Sequence, residues 1–254
     1  QVSIPVLLVP YAPKGEEWAK SLSDRKDASI ELSLRFKEVR LRDSNIGGII
    51  HGQDPERKRE FLVLGAHYDH LGKDERSGPY FSGADDNASG VAALLEIGRS
   101  LMMRKTDLRR SVVLIFFGGE EWGLKGSRYF VENPFIPLAR IKAMLSLDSI
   151  GGAGDEKKVF FVGGSFHPAL ADRNRRFLQR LGIREGHDID RYAFTYGSDH
   201  YPFHQKGIPS LDYFASEYKR LHTLRDNLEG IHFDHLADVT RLIYLTAYEF
   251  LTEP

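Results

Sequence analysis

The chain contains no cysteine among its 254 residues. This absence excludes disulfide bonds, thiolate nucleophiles and zinc sites built from cysteine. Any zinc ion that the chain binds must therefore be held by histidine, aspartate and glutamate side chains. The composition supplies them, with 10 histidines and 36 acidic residues.

The chain also lacks a large excess of charge of either sign, and it lacks a long apolar run. Its 35 basic and 36 acidic residues leave a formal net charge of -1, so no broad field would attract nucleic acid or an anionic membrane. No apolar run approaches the ~20 residues that a membrane-spanning helix needs. The favoured partner is a small or locally recognised ligand. The first residue is Gln1 and no leader pattern follows it, which is typical of a processed or trimmed chain.

Apolar runs and helical patterns alternate along most of the chain. Runs at residues 61–66, 112–117, 141–147, 159–162 and 210–214 predict strands, and patterns at 91–102, 125–132, 168–181 and 236–251 predict helices. This alternation predicts an α/β fold with a largely parallel sheet covered by helices. Residues 1–60 do not show this alternation of strand and helix patterns, and their apolar residues predict edge strands. We therefore expect an N-terminal segment, residues 1–40, and one large domain, residues 41–254.

Several acidic and histidine residues stand shortly after the predicted strands. His67 and Asp69 follow the first long apolar run, Glu120 and Glu121 follow the second, and Asp148 follows the third. The carboxyl ends of parallel strands open into one crevice, so we expect these side chains to converge. Because carboxylates brought together repel one another, a divalent cation is their natural partner.

Two further residues complete the candidate site. Asp86 precedes the helix predicted at 91–102, and His222 follows the strand predicted at 210–214. Two zinc ions could then each have one histidine, one carboxylate of their own and one shared carboxylate. A shared aspartate can hold two cations ~3.5 to 4 Å apart, the spacing of two-metal hydrolases. The candidate metal ligands are His67, Asp86, Glu121, Asp148 and His222.

Six segments of the chain together resemble a known family. In chain order they read GAHYDHLG, SGADDNASG, FFGGEEWGLKGS, LSLDSIG, GSDHYPFHQKGIP and LHTLRDNL. This series resembles the motifs of metallopeptidase family twenty-eight, the dizinc aminopeptidases, over about residues 40–252. The resemblance implies a three-layer, phosphorylase/hydrolase-like zinc exopeptidase fold with a mixed, mostly parallel central sheet flanked by helices. The start of the chain resembles the tail of a protease-associated domain, which would make this a piece of a longer, exported protein.

The resemblance also assigns metal ligands. It implies that His67 and Asp148 hold one zinc ion, that Glu121 and His222 hold the other, and that Asp86 bridges them. It further implies a cis peptide bond directly after the bridging aspartate.

A mechanism follows from the same resemblance. Glu120 has the position of the general base, and Asp69 has that of a carboxylate that orients the ring of His67. Two zinc ions would lower the pKa of a shared water, and Glu120 would take its proton and return it to the departing amine. The free amino terminus of the substrate would bind the other zinc ion. The predicted enzyme is therefore a metallo-aminopeptidase that acts on peptides with a free amino terminus.

Other activities stay open at this stage. A carboxypeptidase on the same scaffold would need arginines that grip a terminal carboxylate. Glutaminyl cyclase, a similar transferase, normally works with one zinc ion, and the five ligands argue against it. Glu120 argues against a binding module with an inactive site, and the consecutive Ser198, Asp199 and His200 are a poor match to a catalytic triad.

One position departs from the family pattern. Several relatives have a tyrosine directly before the second zinc-binding histidine, where this chain has Leu221. Tyr196 or Tyr218 could take over its task of stabilising the oxyanion. Among the remaining histidines we expect His70 to shape the pocket rather than to bind metal.

Overall fold

The computed structural model describes residues 20, 42–73, 78–152, 157–186, 197–216 and 219–254. The predicted N-terminal segment, residues 1–40, lies outside these ranges apart from Lys20. The division of the chain at residue 40 therefore stays a prediction. The elements below are those of the described residues.

A seven-stranded sheet forms the centre of the described domain. Its strands are β1 (Ile46–Ile50), β2 (Phe61–His67), β3 (Ser111–Phe117), β4 (Ile141–Leu147), β5 (Lys158–Val162), β6 (Arg184–Glu185) and β7 (Ser210–Phe214). They lie in the order β1-β3-β2-β4-β7-β5-β6. Strands β3, β2, β4 and β7 pair in parallel, as do β5 and β6, whereas β1 pairs antiparallel with β3 and β5 antiparallel with β7. The predicted mixed, mostly parallel sheet is confirmed.

Helices cover both faces of the sheet. Leu62 and Leu64 of β2 share one apolar cluster with Leu94 and Leu242, whereas Val63 belongs to a second cluster on the opposite face. Central parallel strands covered on both faces need nearly continuous apolar sequence, which explains the uninterrupted runs that predicted them. The helices are α1 (Gly90–Met103), α2 (Lys125–Glu132), α3 (Pro168–Leu181), α4 (His200–Gln205) and α5 (Phe233–Thr252). The first cluster contains residues of α1, α3 and α5, and the second contains residues of α2 and α4, so the domain has three layers.

The start of α1 lies close against the end of β4. A Cβ atom on Gly90 would lie 2.4 Å from the main-chain oxygen of Leu147 and 2.4 Å from Oδ1 of Asn87. Only glycine permits this approach, which brings the turn before α1 to the carboxyl end of the sheet.

No helix in the described ranges is both long enough and apolar enough to cross a membrane.

Candidate metal centre

The predicted metal ligands lie together at the carboxyl edge of the parallel strands. His67 is the last residue of β2, and Asp148 directly follows β4. Glu121 lies in the turn after β3, Asp86 lies in the tight turn Ala84–Ser89 before α1, and His222 lies in the loop between β7 and α5. Strand order explains the grouping, because β3, β2 and β4 are neighbours in the sheet.

Asp86 lies at the centre of the cluster, and its two carboxylate oxygens face different histidines. Oδ1 lies 3.2 Å from Nε2 of His67, and Oδ2 lies 3.1 Å from Nε2 of His222. Nε2 of His67 is also 3.4 Å from Oδ1 of Asp148, and Nε2 of His222 is 3.1 Å from Oε2 of Glu121. The five side chains thus form two groups that share Asp86.

The ring of His67 has the orientation that a metal ligand needs. Its Nδ1 donates a hydrogen bond to the main-chain oxygen of Asp69 at 3.0 Å, and a carbonyl oxygen can only accept. Nε2 is therefore the nitrogen left for a metal ion, and it is buried and has no hydrogen-bond partner among the described residues. Donor atoms of His67, Asp86 and Asp148 lie within 4.8 Å of one another. This set of donors fits a zinc ion.

His70 belongs to the second group, which the sequence did not indicate. Its Nδ1 lies 2.8 Å from Oε1 of Glu121 and 3.9 Å from Oδ2 of Asp86. Donor atoms of these three residues also lie within 4.8 Å of one another. The side chain of His222 is more than half exposed, at 55%, whereas the side chain of His67 is 1% exposed. His222 is therefore the more open of the two histidines, although ligands of both groups line the cleft.

The carboxylate of Asp69 does not form a hydrogen bond with the ring of His67, which it was predicted to orient. Its oxygens accept the backbone N–H groups of Glu120 at 3.0 Å and of Glu121 at 3.2 Å. The carboxylate oxygen lies 3.9 Å from Nδ1 of His67, beyond hydrogen-bond distance, so the main chain of Asp69 orients that ring instead. Asp69 thus fixes the turn that carries the two glutamates.

Burial and neighbouring charges act strongly on this site. Burial raises the pKa of Glu120 well above its usual range, and the charges of Asp148, Asp199 and Glu121 add to this rise while His67 opposes it. Burial lowers the pKa of His67, but Asp148 and Asp86 outweigh it and hold that pKa well above the usual value. In both cases the neighbouring carboxylates raise the pKa, which reflects an excess of negative charge that a cation would neutralise.

The peptide bond between Asp86 and Asn87 is cis, as the resemblance implied.

A cleft of about 660 Å³ opens above the cluster. The charged and histidine residues that line it are Asp86, Glu120, Glu121, Asp148, Asp212 and His222. Val162, Phe214 and Leu221 also line it, so a side chain with apolar surface could be bound there. Tyr196 and Tyr218, the predicted substitutes for the missing tyrosine, lie outside the described residues.

Comparison with known proteins shows the family of this chain. The model of Peptidase family M28 matches residues 45–247. Aminopeptidase YwaD of Bacillus subtilis is 27% identical over 254 residues, covering 95% of this chain and 51% of the relative. The glutaminyl-peptide cyclotransferase of Bos taurus is 28% identical over 260 residues, covering 89% of this chain and 72% of the relative.

The fold is shared with a solved structure. The zinc aminopeptidase BSAP from Bacillus subtilis matches with a TM-score of 0.68 at 24% identity, over 83% of this chain and 50% of that one. The chain thus spans about half the length of YwaD and of BSAP. The family model covers most of the described domain, including every predicted metal ligand, and the chain belongs to peptidase family M28.

Proposed function

We propose that the chain is a zinc-dependent aminopeptidase that holds two zinc ions and removes residues from the free amino end of peptides. The main support for this proposal is the position of Asp86 between two histidines. Its Oδ1 lies 3.2 Å from Nε2 of His67, and its Oδ2 lies 3.1 Å from Nε2 of His222. His67 and Asp148 complete one proposed zinc site, and Glu121 and His222 complete the other.

Glu120 is the proposed general base. Bound zinc would supply a water of lowered pKa and a positive charge for the scissile carbonyl oxygen. Glu120 lines the cleft beside the ligands, and Asp69 holds its backbone, so its carboxylate can take the proton of the attacking water. The same carboxyl group then returns the proton to the departing amine.

The described residues that line the cleft offer no side-chain cation for the carboxyl end of a peptide. Within the described residues that line it, four ligand or base carboxylates are present and neither lysine nor arginine is. A carboxypeptidase needs a cation for the terminal carboxylate, so this lining speaks against that alternative. The α-amino group of a peptide would bind on the side of the cleft lined by Glu121 and the exposed His222.

Glutaminyl cyclase is the second candidate, because a bovine glutaminyl-peptide cyclotransferase is 28% identical to this chain. The two proposals differ in product. A cyclase releases ammonia from a peptide that begins with glutamine and keeps all its residues in one ring-closed product, whereas an aminopeptidase releases a free amino acid. The two histidines and three carboxylates that we propose as ligands contact one another around Asp86, which supports a two-zinc site and so the aminopeptidase.

A panel of aminoacyl anilides tests the proposal. Zinc-loaded protein should hydrolyse anilides with a free α-amino group, and the matched N-acetylated anilides should be inert. Glutamine-initiated peptides followed by mass spectrometry should lose their first residue without accumulating a cyclised product. Cleavage of an acetylated peptide from its carboxyl end, or ring closure as the main reaction, would reject the aminopeptidase.

Export of the protein is a separate proposal, which fractionation of the producing cells would test.

A further inference from the structure

Asp226 is a buried carboxylate that contacts the turn of Asp86. Its side chain belongs to a residue that is 2% exposed. Oδ1 accepts the backbone N–H of Asp85 at 2.7 Å, and Oδ2 accepts the backbone N–H of Asp86 at 3.0 Å. Hydrogen bonds to an ionised carboxylate are short and strong, and two of them to successive N–H groups fix the orientation of the turn.

The loop that carries Asp226 also carries His222. Ser82, just before the turn, donates its hydroxyl to the main-chain oxygen of Asp226. Inside the loop, the N–H of Asp226 bonds to the main-chain oxygen of Thr223 at 3.1 Å. His222 has φ 55, a left-handed conformation that is costly for a residue with a side chain and persists where the surroundings fix it. The loop is thus braced at the point where it presents His222.

The opposite side of the same turn is bonded to the loop after β4. Oδ1 of Asn87 accepts the N–H of Ser149 at 3.1 Å, and Oδ1 of Asp85 accepts the N–H of Gly151 at 2.7 Å. This loop begins with Asp148. The turn of Asp86 is therefore held between the loop of the first histidine group and the loop of the second.

We infer that Asp226 is a positioning residue for both proposed metal sites. It ties the bridging Asp86 to the loop of His222, so it fixes the distance between the shared ligand and the more exposed histidine. Asp226 is not a ligand itself, because both of its oxygens are bonded to the backbone. The inference rests on the proposed function, since it concerns the same two zinc ions.

The test is zinc binding by Asp226→Asn. Asparagine has the same shape but only one acceptor oxygen, and its NH₂ group would face a backbone N–H. Loss of a group that supports metal ligands typically lowers metal affinity about 10- to 100-fold. We expect a loss of that size for zinc, measured on metal-free protein with zinc buffered by a chelator. The Tm of the metal-free variant should fall by a few degrees, because one buried backbone N–H loses its acceptor, and excess zinc should restore its activity.

Asp234→Asn is the matched control, because Asp234 is an exposed aspartate at the start of α5. It should bind zinc as the wild type does.

Wild-type zinc affinity in Asp226→Asn would overturn the inference, and a lowered metal-free Tm with unchanged affinity would show a purely structural role. If Asp226→Asn does not fold, Ser82→Ala carries the test, with a several-fold loss of affinity expected and wild-type affinity overturning the inference. A wild-type chain that binds no zinc would reject the proposed function as well.

Discussion

Two adjacent glutamates, Glu120 and Glu121, share one backbone anchor and have different surroundings. The carboxylate of Asp69 accepts both of their N–H groups. Both oxygens of Glu121 are engaged, one 2.8 Å from Nδ1 of His70 and the other 3.1 Å from Nε2 of His222. Glu120 instead faces the cleft with its pKa raised by burial. The environment therefore supports a ligand role for Glu121 and a proton-transfer role for Glu120.

Substitution by glutamine should separate the two roles. Glu120→Gln keeps shape and hydrogen bonding but cannot take a proton, so kcat should fall at least the ~10²- to 10⁴-fold that general base catalysis contributes. Its zinc content should stay at the wild-type value. Glu121→Gln removes an anionic ligand, so zinc affinity should fall together with the rate.

Metal analysis and steady-state kinetics measure these effects, with Glu132→Gln on the exposed end of α2 as the control. Loss of a zinc ion in Glu120→Gln, with both retained in Glu121→Gln, would reverse the assignment.

His200 should make stability depend on pH. Burial, followed by the charges of His204 and His167, lowers its pKa from 6.5 to about 3. The unfolded chain therefore takes up a proton at His200 below about pH 6.5 while the folded chain does not, so this contribution is full above that pH and is lost as pH falls. Between pH 6.5 and 5 the loss is about 2 kcal/mol.

Urea unfolding of metal-free wild type and His200→Gln at pH 7 and pH 5 measures this loss. The wild type should lose about 2 kcal/mol more unfolding free energy than the variant. Equal losses would mean that His200 is protonated in the folded chain.

At the scale of elements, local patterns predicted most of the fold. The bounds of α2, β4, α3 and β7 are those that periodicity and apolar runs indicated. The six-residue helix α4 and the two-residue strand β6 are too short to show a period. The antiparallel direction of β5 against β7 was also not predicted, because strand order depends on packing between distant segments.

The same limit applies to the candidate site. Strand ends indicated His67, Glu121 and Asp148, because the carboxyl edge of a parallel sheet follows from alternation alone. His70 and Asp226 also lie in quoted motifs, yet their contacts join residues 51 and 140 positions apart. No local pattern encodes such a contact. The only sequence signal for a role of His70 and Asp226 in the site was that both are polar residues within the motifs.

Asn174 joins three elements in the core and offers a stability test at this scale. It is a fully buried residue of α3 whose Oδ1 accepts the hydroxyls of Tyr213 in β7, at 2.6 Å, and of Thr246 in α5, at 2.8 Å. Asn174→Ala would leave both hydroxyls buried without this acceptor. A buried unsatisfied group costs about 1–3 kcal/mol, so we expect the unfolding free energy to fall by about 3 kcal/mol.

Denaturant unfolding measures this change. Asn133→Ala, an exposed asparagine after α2, is the control and should change stability little. In the Asn174→Ala background, Tyr213→Phe should cost less than it does in the wild type, because the hydroxyl no longer has its acceptor. Additive costs would show that the bond contributes little.

At the scale of the whole molecule, stability and metal binding have separate sources. Two apolar clusters, one on each face of the sheet, hold the strands and helices together. The candidate metal ligands lie at one edge of this core, on turns and strand ends. Metal should therefore add to the stability of a chain that already folds, because the clusters are complete without it.

Zinc removal tests this separation. Carefully prepared protein should contain two zinc equivalents per chain, and chelation should abolish activity while far-ultraviolet circular dichroism is retained.

Removal of zinc should also lower the Tm, because Asp86, Glu120, Glu121 and Asp148 then lie close together without a cation and repel one another. With zinc at about 1,000 times the Kd of each site, each ion contributes about 4 kcal/mol and the two together about 8 kcal/mol. For a chain of this size that corresponds to roughly 16–32 °C in Tm. The control is chelator saturated with zinc beforehand, which should leave Tm and activity unchanged. A chelated chain without a cooperative transition would show that folding itself needs the metal, and an unchanged Tm would show that these residues bind none.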